Sequence, residues 1–116
     1  MTYVMSYVAA VPAAKKAEYV QHCELAAAIF KDHGATRVVE CWGDQVPPGE
    51  VTSFPLAVKA QEDEVVVTGW QEWPDKATHD AHIQHAMQDP RFQYMRDMPF
   101  DGKRLIFAGF ETILDV

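Results

Sequence analysis

Residues 64–73 read Glu-Val-Val-Val-Thr-Gly-Trp-Gln-Glu-Trp, a run of β-branched and aromatic side chains closed by Pro74 and Asp75. Side chains of this kind fit a pleated, half-buried surface, so the run predicts a strand. Asp75 then offers the side-chain acceptor that opens a helix, which the sequence predicts to run to about Gln88.

Upstream, Tyr3 to Val11 is apolar or small at both parities, as in a central strand covered on both faces. Pro12 suits a first helical turn, and Ala13 to His33 follows without Gly or Pro, which predicts a helix ended by Gly34. Val20, Cys23, Ala27 and Phe30 fall on one predicted helical face. Thr36 to Trp42 predicts a second strand, and residues 44–63 form a long connection with room for a short strand or helical turn. Asp89-Pro90 starts a further helical turn, and Asp101-Gly102 turns the chain into a last strand, Lys103 to Leu114.

The order βαββαβ predicts one α+β domain over residues 1–116, with a ferredoxin-like antiparallel sheet and both helices on one face. The other face would carry Tyr3 or Val4, Cys41 or Trp42, Trp70 or Trp73, and Phe107 or Phe110, according to register. Either parity is too apolar for water, so a second copy laid sheet to sheet is expected, giving a homodimer. The alternative is that the long connection folds back over this face and leaves a monomer.

Composition narrows the partners. With 17 acidic residues against 10 basic ones, the net charge of −7 repels phosphate backbones, so no nucleic-acid partner is expected. No basic amphipathic helix suits a membrane surface, and the N-terminal apolar run lacks preceding basic residues, which suggests a cytoplasmic protein. Cys23 and Cys41 have no metal-ligand spacing and read as reduced core residues.

Three stretches, VECWGDQVPPGEVTSFPLAVKA (39–60), MQDPR (87–91) and MPFDGKRLIFAGFE (98–111), resemble the YbaA-like family of small bacterial proteins of unknown function. The resemblance covers nearly the whole chain and implies the dimeric α+β barrel superfamily. That superfamily includes cofactor-independent monooxygenases, isomerases and members without known activity, so it implies a fold and no single chemistry. It brings no catalytic residues with it.

Candidate chemistry rests on three groups of residues. Glu40, Glu72 and Glu111 sit among apolar neighbours, where a carboxylate is costly unless paired, and Glu40 and Glu72 are candidate proton-transfer groups. The plainer reading points them outward or pairs them with Arg37, Lys59 or Arg104. His79, His82 and His85 spread over one side of the second helix; His82 is a candidate catalytic residue, but the set fits a wet face among Asp75, Lys76, Asp80, Gln84 and Gln88 better than a metal site. Trp42 and Trp70 are candidate ligand-binding residues for a flat molecule, and Asp101, Lys103 and Arg104 for a small carboxylate, unless they fix a loop. No phosphate-cradling glycine pattern and no GxSxG appear, and no cofactor or metal is implied. The function classes left open are a small-molecule-binding dimer, a cofactor-independent enzyme (monooxygenase- or isomerase-like) on a small organic substrate such as an aromatic one, and a structural or regulatory interaction protein.

Overall fold

The computed structural model describes residues 1–93 and 95–116. Its sheet has strands β1 (Tyr3–Pro12), β2 (Arg37–Trp42), β3 (Glu64–Trp73) and β4 (Ile106–Glu111) in the order β2-β3-β1-β4. All three strand pairs are antiparallel, which is the ferredoxin-like arrangement. Between the strands lie α1 (Lys16–Asp32), the short turn α2 (Phe54–Ala57) and α3 (Lys76–Ala86). No helix among the described residues is long and apolar enough to cross a membrane.

Local chemistry explains the boundaries. The α1 helix ends where Gly34, at φ +113, donates to the Lys31 carbonyl while Ala35 donates to Phe30, so a glycine closes the last turn. Ser53 and Asp75 each accept a backbone N–H at the starts of α2 and α3. The last strand begins later than the sequence predicts. Lys103 and Arg104 belong to a 3-10 turn, because Asp101 accepts the Lys103 N–H and Arg104 forks onto Glu64 and Asp101 instead of entering the ladder.

Register sets two faces. Glu40, Gly69, Tyr7 and Phe107 form one row across the four strands, beneath α1 and α3. Tyr19 of α1 packs with Ala9, Val11 and Val67 on this face, and fully buried Trp73 stacks on His82 of α3. The opposite face carries Val4, Cys41, Trp70 and Phe110, which resolves the choice of parity. There the long connection covers one end of the sheet, where Val58 packs on Ala10 and Val66, while Ile106 and Phe110 remain 44% and 54% exposed.

Three expectations change. The inward side of α1 is Tyr19, Ala26 and Ile29; Val20 is exposed. Cys41 is an exposed thiol on the open face and so no core residue, whereas Cys23 is half-buried and packs against the core. His79 and His82 are 9% and 4% exposed, because Tyr3 and Trp73 offer flat partners that imidazoles can stack on; only His85 is exposed.

Candidate functional site

A cavity of ≈ 680 Å³ lies between the helix-covered face and the segment that follows α3. Its floor is sheet: Tyr7 and Met5 of β1, Glu40 of β2, Gln71 of β3 and Phe107 of β4. Tyr19, His22, Cys23, Ala26 and Phe30 of α1 form one wall, and residues of 86–100, including Met87, Phe92, Met95 and Met98, form the other. Unbranched methionines adapt to irregular shapes, so this wall can fit more than one apolar ligand.

Glu40 is the carboxyl on the floor. Its Oε2 accepts from the Tyr19 hydroxyl at 3.3 Å, and Tyr19 in turn shares a 2.6 Å hydrogen bond with the Tyr7 hydroxyl. No cation among the described residues is ion-paired with it, and burial pushes its carboxyl up to about 7. Burial, with a smaller contribution from Cys23, also keeps the Tyr19 phenol protonated well above its ordinary range. His22, on the same wall, is held below the usual histidine range by burial.

The convergence depends on Gly69. A β-carbon there would meet Glu40 Oε2 at 2.5 Å and Tyr7 Cε1 at 2.8 Å, so the missing side chain is the space the two groups occupy. A lone glycine inside a strand was the available sequence signal for this close approach. Tyr7, Tyr19 and Gln71 carried no comparable signal.

The other candidates are dispersed. Trp42 shares the face of Glu40 and lines with it a second recess of ≈ 310 Å³, its ring 6.0 Å from that of Tyr19 and 5.2 Å from the Lys16 ammonium. Trp70 and Glu72 lie on the open face, where the indole N–H donates to Glu72 Oε2 at 3.0 Å and Arg37 stands 3.7 Å from the same oxygen. Arg104 donates to Asp101, to Glu64 and to the Lys59 carbonyl, a clasp that fixes the loop before β4, and Lys103 is exposed beside it.

His82 stands apart from the floor of the cavity. Its Nδ1 and that of His33 are 2.8 Å apart, and His33 Nε2 meets Asp89 Oδ2 at 2.9 Å. Arg91 grips Asp89 and reaches Asp32, which holds the Asp89 carboxyl far below the usual range. This chain of contacts ties the cavity's outer wall to the end of α1. Burial, with His33, His79 and His85 nearby, brings His82 down to about 4, so it is a neutral hydrogen-bonding group at neutral pH. Among the described residues no three His, Cys, Asp or Glu side chains gather as metal ligands would.

A four-stranded sheet of this topology with a pocket under its helices defines a ferredoxin-like α+β protein. A solved dimeric ferredoxin-like protein from an uncultured marine organism superimposes with a TM-score of 0.58 at 12% identity, over 99% of this chain and 98% of its own. The chain belongs to the family described as "Protein of unknown function (DUF1428)", whose model matches residues 2–102. It is 52% identical over 116 residues to the uncharacterized protein YbaA of Escherichia coli K12, and equally to that of Shigella flexneri, covering 99% of each chain. The YbaA-like resemblance of the three sequence stretches therefore holds along the full length, on a ferredoxin-like fold.

Proposed function

We propose that this protein is a cytoplasmic homodimer that binds a small, largely apolar organic molecule in the cavity between sheet and helices. The observation that carries this reading is the cavity itself. This open cleft falls within the roughly 300–1,000 Å³ of small-molecule pockets and holds a carboxyl that is not ion-paired. A helix-covered face packed solid would instead have favoured an interaction protein.

The dimer reading rests on the open face. Exposed Ile106 and Phe110 join Val4, Val39 and Trp70 in an apolar surface that a second copy can cover, and the marine structural neighbour is dimeric by its description. Such an arrangement leaves both cavities accessible from their helix sides.

Native mass spectrometry of protein purified gently from its own host tests both halves. The expected spectrum is a dimer with a discrete organic adduct, and an uncharged naphthylamine dye should bind the emptied protein in a manner blocked by Ala26→Leu, which fills the cavity wall. A monomer at micromolar concentration would remove the dimer. Absence of both adduct and dye binding would remove the ligand site.

A further inference from the structure

We infer that Glu40, Tyr19 and Tyr7 form a proton relay that catalyses keto–enol tautomerisation of a small, uncharged, aromatic or similarly flat ketone held in the cavity. The inference rests on the ligand reading above and adds a reaction to it.

The chain of oxygens sets the logic. Two hydrogen bonds join three groups, Glu40 to Tyr19 and Tyr19 to Tyr7, and each phenol has one proton. When Glu40 is ionised, Tyr7 donates to Tyr19 and Tyr19 donates to Glu40, so every hydrogen points toward the carboxylate. When Glu40 carries a proton, it donates to Tyr19, Tyr19 to Tyr7, and the Tyr7 hydrogen turns to the cavity. The charge on Glu40 therefore decides whether Tyr7 offers the ligand a lone pair or a proton. Neither phenol needs to ionise, since each accepts one proton as it passes on another.

Both ends of the relay line the same cavity, side by side over Gly69. A ketone with its carbonyl oxygen at Tyr7 and its adjacent carbon at Glu40 would be converted in a closed cycle. The carboxylate takes the α-proton, the C–H electron pair becomes the C=C bond, and the carbonyl π pair moves onto oxygen. As Glu40 gains its proton the hydrogen-bond chain reverses, and the Tyr7 hydrogen meets the oxygen as its charge develops. Completion of the transfer along Tyr19 and Tyr7 forms the O–H bond and returns Glu40 to its ionised state. One proton has moved from carbon to oxygen, with no electron gained or lost by the protein.

The lining selects the substrate class. Phe30, Phe92, Phe100 and Phe107 suit an aromatic or conjugated skeleton. The other titratable or charged groups of the cavity are His22, Cys23, Asp89 and Arg96, with Lys16, Glu24 and Cys41 in the adjoining recess. Asp89 is already held by Arg91 and His33, and Arg96 is on the exposed wall, so a substrate carboxylate beside Glu40 would meet repulsion without a cation in the same row.

The test uses phenylacetone and its ring-substituted analogues in D₂O, with NMR reporting loss of the benzylic protons and saturation transfer reporting binding in the same tube. General acid–base catalysis contributes about 100-fold or more, so wild type should speed exchange by at least that factor over buffer. Its rate should rise with pH through about 7, where Glu40 ionises. Glu40→Gln should return exchange to the buffer rate while binding persists, and Tyr7→Phe should slow it by about 100-fold with Glu40 intact. Bound ketones that exchange at the buffer rate in wild type, or an unimpaired Glu40→Gln, would overturn the relay alone. Absence of saturation transfer together with absence of dye binding would defeat the cavity reading, and the relay with it.

Discussion

Glu40 and Glu72 stand on neighbouring strands of one sheet, each beside a tryptophan, yet their surroundings are opposite. Glu40 faces a cavity whose nearest donor is a phenol, and burial raises its proton affinity. Glu72 faces the open side, where Arg37 and the Trp70 indole N–H attend it. One face keeps a carboxyl poorly solvated and uncountered, and the other neutralises its carboxyl and offers apolar surface. The comparison teaches that, in this sheet, the side of the strand decides whether a glutamate is a reagent or a fastener.

The largest contrast should come from the tryptophans of the two faces. Trp73 is fully buried under α3, so Trp73→Ala should cost about 3–5 kcal/mol in urea unfolding. Trp70→Ala should cost the protomer only about 1–2 kcal/mol, with its main effect on association. Equal losses in the isolated protomer would break the distinction between a closed and an open face.

Next in size is a charge placed on the open face. Phe110→Asp would bury an unpaired carboxylate at the proposed interface, which weakens association by about 3 kcal/mol or more. Sedimentation should show monomers at concentrations where wild type is dimeric, with dye binding to the cavity retained. A dimer that persists would place the interface elsewhere.

A smaller effect follows from pH. The folded protein holds the Glu40 proton to about 7, against an ordinary value of 4.5, so it binds more protons than the unfolded chain between those values. Glu40 therefore costs nothing below about 4.5, and stability falls as pH rises toward 7. With its partial exposure taken into account, the cost at neutral pH is about 2 kcal/mol. Glu40→Gln should thus match wild type near pH 4.5 and exceed it by about that amount at pH 8. His82 acts in the opposite sense: its proton is lost at about 4 when folded and at 6.5 when unfolded, so its contribution is present above 6.5 and is lost as pH falls toward 4. The Glu40→Gln stability curve should accordingly rise more steeply between pH 5 and 6.5 than that of wild type.

The smallest change is expected at Glu72. Arg37 is mostly exposed, so Glu72→Gln should alter stability by only about 0.5 kcal/mol. A loss several times larger would mean that the open face depends on this pair.

The strand order was legible in the sequence because turn residues frame the strands. β3 spans the predicted Glu64 to Trp73, stopped by Pro74, and Gly34 closes α1 as its composition implies. The facing of residues was less legible. With both parities apolar in β1 and β4, periodicity could not choose between Val4 and Tyr3 or between Phe110 and Phe107; only hydrogen-bond register does so. His79 and His82 looked like surface residues because Asp75, Lys76 and Asp80 surround them, while their stacking partners lie on the sheet, Tyr3 far away in sequence and Trp73 at the end of the preceding strand. The candidate site was half visible. Glu40 could be singled out, but it looked no different from Glu72 until Gly69 set Tyr7 beside it and α1 supplied Tyr19.

The most direct measurement is a carbon-13 NMR titration of the Glu40 side-chain carboxyl in protein labelled at glutamate, assigned with Glu40→Gln. The expected midpoint for this carboxyl is near pH 7. A midpoint in the ordinary glutamate range of about 4.3 would show a well-solvated or countered carboxylate, and would contradict the poised carboxyl at the centre of the site.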